Sequence, residues 1–417
     1  MSTGRGSEPA YHRPVADVRP FRQLRYGAAA GPLDRLLAPP YDVISPEERR
    51  GLLASSPYNA VRLILPVLPY EELGALIGHW RDLGVLVQDE RPSIVAWTQR
   101  FTLEDGVERE RRTLLATVAL EPYEARVVRP HERTHAGPKA DRLRLVRATR
   151  VNLSPMLALY PDPEGVAWAA AAVAAPPTAE AKGADGTLNR FWRIDDPATG
   201  AAASAAMADR WLLIADGHHR YETALAYRDE RRQAEGPGGP YDHVMMGLTA
   251  LEDPGLVVLP THRLLARWPE AALDGLARRD VGDLDELRAA LEAADPSEPA
   301  FGLVRPSGAW LVTGPPASEE STPGERLDAA VVERKVLVPG FGRDQAELTA
   351  SGVLDYTKDA ADAWQRARGG EVAASIIMRP TPKAAVAAVA EAGETMPQKS
   401  TYFFPKLLTG VAFHPLG

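Results

Sequence analysis

The stretch Trp211-Leu-Leu-Ile-Ala-Asp-Gly-His-His-Arg-Tyr-Glu-Thr-Ala-Leu225 limits what this chain can fold into more than any other. Trp211 to Ala215 is a short, nearly continuous apolar run, the length of a strand buried on both faces. Asp216-Gly217 breaks it, and Gly217 can take the positive φ that a tight strand-to-helix turn needs. Tyr221, Ala224, Leu225 and Arg228 then recur at helical spacing, which puts His218, His219 and Arg220 in the first helical turn. Such a turn has free backbone N–H groups at the positive end of the dipole, a natural anion cradle. Two imidazoles and a guanidinium added there would suit phosphate. An Asp216 that merely caps a helix, followed by a solvated histidine pair, fits the same residues.

Composition narrows the chemistry. The 417 residues are 45% hydrophobic and 25% charged, enough for two or three domains with a core each. A formal net charge of −8 gives no global basic field that would draw the chain onto nucleic acid or a membrane. The absence of cysteine removes disulfides, thiolate nucleophiles and iron–sulfur ligation. The polar N-terminus lacks the apolar core of a signal peptide, and no apolar run approaches the roughly 20 residues of a membrane span. The expectation is a cytoplasmic enzyme or binding protein.

In chain order, residues 1–14 read as a flexible tail. A mixed α/β unit over 15–125 follows. It includes a capping box at Ser45-Pro46-Glu47-Glu48, a strand over Asn59–Leu65 and an amphipathic helix through Tyr70, Leu73, Ile77 and Trp80. Two strands, Ser93–Leu103 and Val107–Leu120, are joined as a hairpin through Glu104-Asp105-Gly106. The Ala-rich region from Ala167 to Ala208 reads as helical with breaks, and Trp268 to about Ala294 as an acidic helix. A hairpin is expected across Arg305-Pro-Ser-Gly-Ala309 and a buried strand over Ala373–Met378. The fold class is mixed α/β.

Two further stretches carry chemistry. Arg126-Val-Val-Arg-Pro-His-Glu-Arg-Thr-His135 and the helix begun near Pro138 run strongly positive in an acidic chain. Lys139 and Arg142 share a face of that helix, either as an anion site or as a solvated basic surface. His131, Glu132 and His135 do not match the helical zinc pattern His-Glu-x-x-His. Near the C-terminus, Met396-Pro-Gln-Lys-Ser-Thr-Tyr-Phe-Phe-Pro-Lys406 concentrates hydroxyls, two lysines and aromatics without helical or strand period, as a binding loop or a packing segment would.

Taken together, these stretches resemble a known set of enzymes. Asp216-Gly-His-His-Arg220, Pro130-His131-Glu132, Arg379-Pro-Thr-Pro-Lys383 and Pro397-Gln-Lys-Ser-Thr401 are similar, in the same order, to motifs of the archaeal ADP-dependent free serine kinases of the ParB/sulfiredoxin superfamily. The chain as a whole resembles a bacterial family known as domain of unknown function 1015, some relatives of which are pyrophosphate-dependent serine kinases. The sequence departs from the archaeal pattern at Tyr402-Phe403, where Arg-His stands in those enzymes. Sulfiredoxin places a cysteine where His218 stands here.

The resemblance implies a ParB/sulfiredoxin-like core over 126–265 and a C-terminal α/β region, 266–417, that returns the 396–406 loop to the site. It implies transfer of a phosphoryl group from ADP, ATP or pyrophosphate, with Mg²⁺, to the hydroxyl of free L-serine. Glu132 would be the general base, and Asp216 would orient the hydroxyl or hold Mg²⁺ through water. Gly217, His218, His219 and Arg220 would bind donor phosphates, with Arg133, Lys139 and Arg142 further out. Lys399, Ser400 and Thr401 would close over the acceptor. The rival expectations are a non-catalytic ParB-like module that binds CTP and loads onto DNA, and a kinase for another small hydroxylated acceptor. An acidic chain without a recognisable helix-turn-helix favours no nucleic-acid partner.

Overall fold

The structure is a computed structural model and describes residues 16–132, 136–173, 176–269, 273 and 275–417, without the side chains of 136–138. The expected tail, and Arg133 and His135, lie outside the described residues.

A nine-stranded mixed sheet forms the centre of the mixed α/β fold. Its neighbour order is Val128–Arg129, Leu212–Asp216, Met156–Tyr160, His243–Ala250, Glu108–Ala119, Ile94–Thr102, Leu188–Ile194 and Ala179–Lys182, and Val18–Arg19 also pairs with Glu108–Ala119. The Leu212–Asp216 strand runs parallel to Val128–Arg129 and antiparallel to Met156–Tyr160. Strands from both sides of position 125 therefore share one sheet. The hairpin expected at Glu104-Asp105-Gly106 forms, with Gly106 at φ 72°.

Alternation along these strands separates two cores. Leu114, Ala116, Met156, Ala158, Leu212, Ile214 and Met246 pack on one face, against Tyr221 of the His218–Glu235 helix and Ala203 and Met207 of the Pro197–Met207 helix. Leu115, Leu157, Leu213, Ala215 and Met245 pack on the other. There they meet Val386 and Val389 of the Lys383–Ala392 helix and Met396, Phe403 and Leu407 of the C-terminal segment. Burying these apolar side chains draws the 396–407 segment across the end of the sheet at which Asp216 stands.

A second, six-stranded antiparallel sheet has the order Ala277–Asp280, Gly308–Thr313, Ala300–Arg305, Ala374–Met378, His262–Leu265 and Leu354–Thr357. One face is covered by Leu284–Ala293 and Ala360–Arg368. The other packs on Asp328–Val332, a π-helical turn at Glu333–Leu337, and Gln345–Ala350. A third core joins Leu24, Leu36, Leu63, Leu73, Ile77 and Trp80 to Leu145, Val151 and Phe413.

Three sequence expectations are corrected. The apolar run after Asn59 is a one-turn helix, Val61–Ile64, because the Asn59 side chain accepts from the Val61 N–H at 2.9 Å and turns the chain. Within Ala167–Ala208, Ala179–Lys182 and Leu188–Ile194 are strands of the central sheet, where buried Asn189 accepts from the Trp97 indole at 3.0 Å. Trp268–Ala294 is not one helix: Ala277–Asp280 is an edge strand, and the helix covers only Leu284–Ala293.

Candidate active site

The apolar Leu212–Ala215 segment is buried as a strand, and a register shift between Ile214 and Asp216 bends the strand just before its end. Gly217 follows at φ 100°, and a Cβ there would stand 2.7 Å from Met156 Cγ, so glycine is required on both counts. The His218–Glu235 helix begins immediately, and no side chain caps it.

Asp216 is held between two cations. Arg220 donates to its Oδ2 and to the Pro155 carbonyl, while Lys406 donates to Oδ1. Burial works to raise this carboxyl, but Lys406 and Arg220 outweigh it and hold the group well below the usual carboxylate range. Both oxygens are thus occupied by protein cations. Among the described residues no group of three His, Cys, Asp or Glu is placed to hold a metal ion. With both oxygens taken, these side chains do not fit the expected role of Asp216 in holding Mg²⁺ through water.

The Pro130-His131-Glu132 turn meets the same strand end. His131 donates from Nδ1 to the Ile214 carbonyl at 2.5 Å, which leaves Nε2 to accept from Thr401 Oγ1 at 3.0 Å. The His131 N–H donates to His218 Nε2 at 3.3 Å, and the two rings stand edge to face at 4.6 Å. Burial lowers His131 to about 4; burial and the neighbouring His131 lower His218 as well, so both are neutral at pH 7. His218 therefore differs from the expected phosphate-binding cation: it is a buried acceptor that fixes the turn.

Glu132 is clamped to the C-terminal loop. It bridges Met396, whose N–H donates to the His131 carbonyl at 2.7 Å. Burial raises its carboxyl to about 7, against the opposing pull of the Lys399 ammonium and backbone N–H. Lys399 adopts φ 57°, an unusual conformation for a non-glycine residue. Thr381 Oγ1 donates to the Ser400 carbonyl at 2.8 Å, and Gln345 donates to the Gln398 carbonyl.

The expected residues thus sort into groups. Glu132, Asp216, Gly217, partly buried His219, Arg220, Lys399 and Thr401 come together with His131. Ser400 is adjacent, but its hydroxyl donates to the Pro397 carbonyl at 2.6 Å, inside its own loop. Lys139 pairs with Glu222 at 2.5 Å. Buried Arg142 donates to the Ile64 carbonyl at 2.8 Å and the Tyr70 hydroxyl at 2.9 Å and lies over the Tyr41 ring, so it ties the N-terminal helices to the core.

Three cations escaped residue-level reading. Lys406 was visible only as the end of a lysine-containing loop. Arg111 is fully buried and donates to Gln99, which in turn donates to the Lys406 carbonyl at 3.2 Å. Arg111 Nε and Nη1 have no hydrogen-bond partner among the described residues. Arg263, also buried, lies 5.9 Å from the Tyr356 ring, and Nε and Nη2 are similarly unpartnered. Neither arginine falls in a motif. A carboxyl near neutrality, a fixed acid between cations and an uncapped helix terminus can together move a proton and neutralise phosphate charge.

No helix among the described residues is long and apolar enough to cross a membrane. No curated protein matches the chain. Among solved structures, a conserved hypothetical protein from Pyrococcus furiosus is similar at 17% identity, over 70% of this chain and 93% of its own, with a TM-score of 0.38. A free serine kinase in complex with AMP is similar at 16% identity, over 72% and 91%, with a TM-score of 0.39. SbnI from Staphylococcus aureus, truncated at its C-terminus, is similar at 12% identity over 72% and 87%, with a TM-score of 0.34. Residues 18–330 match the family described as Protein of unknown function (DUF1015), and the chain belongs to that family.

Proposed function

We propose that this protein is a small-molecule kinase that phosphorylates the hydroxyl of free L-serine, on a ParB/sulfiredoxin-type core. The observation that carries this reading is a carboxyl raised to about 7, Glu132, brought into one site with the Asp216–Lys406 pair and the uncapped helix at His218. A base poised near neutrality can accept the hydroxyl proton as the oxygen–phosphorus bond forms. The bridging oxygen–phosphorus bond of the donor breaks, and its electron pair leaves on the departing group: AMP from ADP, ADP from ATP, or phosphate from pyrophosphate. Lys406, Lys399 and the first-turn N–H groups would neutralise the phosphates, while Thr401, oriented by neutral His131, would contact the acceptor. Asp216 would position Lys406 rather than touch phosphate. The motif order Pro130-His131-Glu132, Asp216-Gly-His-His-Arg220, Pro397-Gln-Lys-Ser-Thr401 supports the same assignment.

Donor and acceptor are tested directly. The full chain is incubated with Mg²⁺, L-serine and, separately, ADP, ATP and pyrophosphate, and O-phosphoserine is sought by mass spectrometry. Product with at least one donor is expected; none with any donor at high enzyme concentration overturns the reading. Tight CTP binding without turnover would replace it with the ParB-like module, and product from another hydroxylated acceptor alone would move the substrate.

A further inference from the structure

Beyond the cations already described, one more reaches this site from beside the second sheet. Lys358 follows the Leu354–Thr357 strand, and its Nζ lies 5.3 Å from the centre of the Tyr402 ring. Lys406 Nζ lies 4.4 Å from the centre of the same ring. Two ammonium groups from segments far apart in the sequence thus share one aromatic side chain, and exposed Lys399 sits three residues before it. Lys406 is paired with Asp216 and Lys399 lies in the field of Glu132, while no salt bridge joins Lys358 to a carboxylate among the described residues. Tyr356, on the same strand, and Arg263, paired with it across the ladder, both lie in the field of Glu132. This edge of the second sheet therefore faces the candidate site and brings the Lys358 ammonium to it, from a segment that also holds Asp355 and Asp359. An anion entering beside the ring would be attracted by both ammonium groups at once.

We propose that Lys358 binds a phosphate group of the donor, so that the second sheet forms part of the donor site. The ligand class is a condensed phosphate, either free as pyrophosphate or carried by a nucleotide. This proposal rests on the kinase reading for its role in turnover, but its binding step can be read without turnover. Lys358 is exposed, so replacing it leaves the core intact.

The experiment titrates the full chain with pyrophosphate and with ADP, each with Mg²⁺, by calorimetry, for wild type, Lys358→Met, Lys358→Arg and Lys335→Met. Lys335 is exposed on the π-helical turn and carries the same charge, so it controls for general electrostatics. Lys358→Met is expected to weaken the donor that binds wild type by about tenfold or more, as loss of a charge-assisted contact does. Lys358→Arg should retain most of the affinity and Lys335→Met all of it, with the KM for L-serine unchanged in all three. Weakening of pyrophosphate or of ADP identifies which source carries the phosphate. Unchanged donor affinity in Lys358→Met, or equal loss in Lys335→Met, overturns the proposal, as does failure of wild type to bind either ligand. Lys358-dependent binding without phosphoserine would overturn the kinase reading alone. Phosphoserine formation with an unchanged donor constant in Lys358→Met would overturn this proposal alone.

Discussion

At the scale of single residues, the site is governed by what burial does to charge. Glu132 and Asp216 are both acids near the same lysines, yet they move in opposite directions. Asp216 touches two cations directly, whereas Glu132 has the more distant help of Lys399 and is dominated by desolvation. A carboxyl raised from 4.5 to about 7 binds protons more tightly in the folded than in the unfolded state. Stability from this group is therefore full below its unfolded value and is lost as pH rises towards 7. Glu132→Gln should raise the Tm at pH 8 and change it little at pH 4, as read by differential scanning calorimetry. A lower Tm at pH 8 would mean that the carboxylate is stabilised in place. The residue types at positions 132 and 216 were readable as chemistry in the sequence. Their opposite electrostatics were not, because these depend on Lys406, which is 190 positions from Asp216.

At the scale of elements, the strand–turn–helix from Leu212 to Glu235 forms as its apolar run, glycine and helical spacing dictate. Local signals served where local contacts decide: the capping box at Ser45 forms as read, and so does the Gly106 hairpin. They failed where pairing is long-range. Ala277–Asp280 is exposed at every residue and has no alternation to read; it is a strand only because Gly308–Thr313 accepts it. The link between the C-terminal loop and the central strand is the Lys406–Asp216 pair, with both side chains 13% exposed. Lys406→Met should cost about 3 kcal/mol in denaturant unfolding, because it leaves a buried carboxylate with one cation fewer. Adding Asp216→Asn should recover part of that loss. Full additivity of the two changes would deny the coupling.

At the scale of the whole molecule, the C-terminal segment crosses the end of the central sheet at which Asp216 stands, and the site is assembled there from distant parts of the chain. Its members come from the 131–132 turn, the Asp216–Arg220 turn and the 396–406 segment, and for this reason no single stretch of sequence contained the site. Burial of histidine sets the acid limit of this assembly. His131, His262 and His414 are each lowered to about 4 by burial, in three different parts of the fold. The unfolded chain takes up these protons near pH 6.5 and the folded one only near 4. The histidine contribution to stability should therefore be complete above pH 6.5 and be lost as pH falls through 4. Denaturant midpoints measured from pH 7 to pH 4 should fall, and His414→Gln should flatten the decline. A midpoint independent of pH over this range would contradict these burials.

The central claim, that Glu132 accepts the hydroxyl proton at a site whose phosphate-binding groups lie on other elements, is tested most directly by a single-turnover measurement. Enzyme in excess over radiolabelled donor is mixed with L-serine, and the rate of phosphoserine formation is followed for wild type and Glu132→Gln across pH 5 to 9. The wild-type rate should rise with pH and level off above about 7, while Glu132→Gln should be slower by about a hundredfold and bind donor with unchanged affinity. Equal rates in the two proteins, or a Glu132→Gln variant that has lost donor binding, would contradict it.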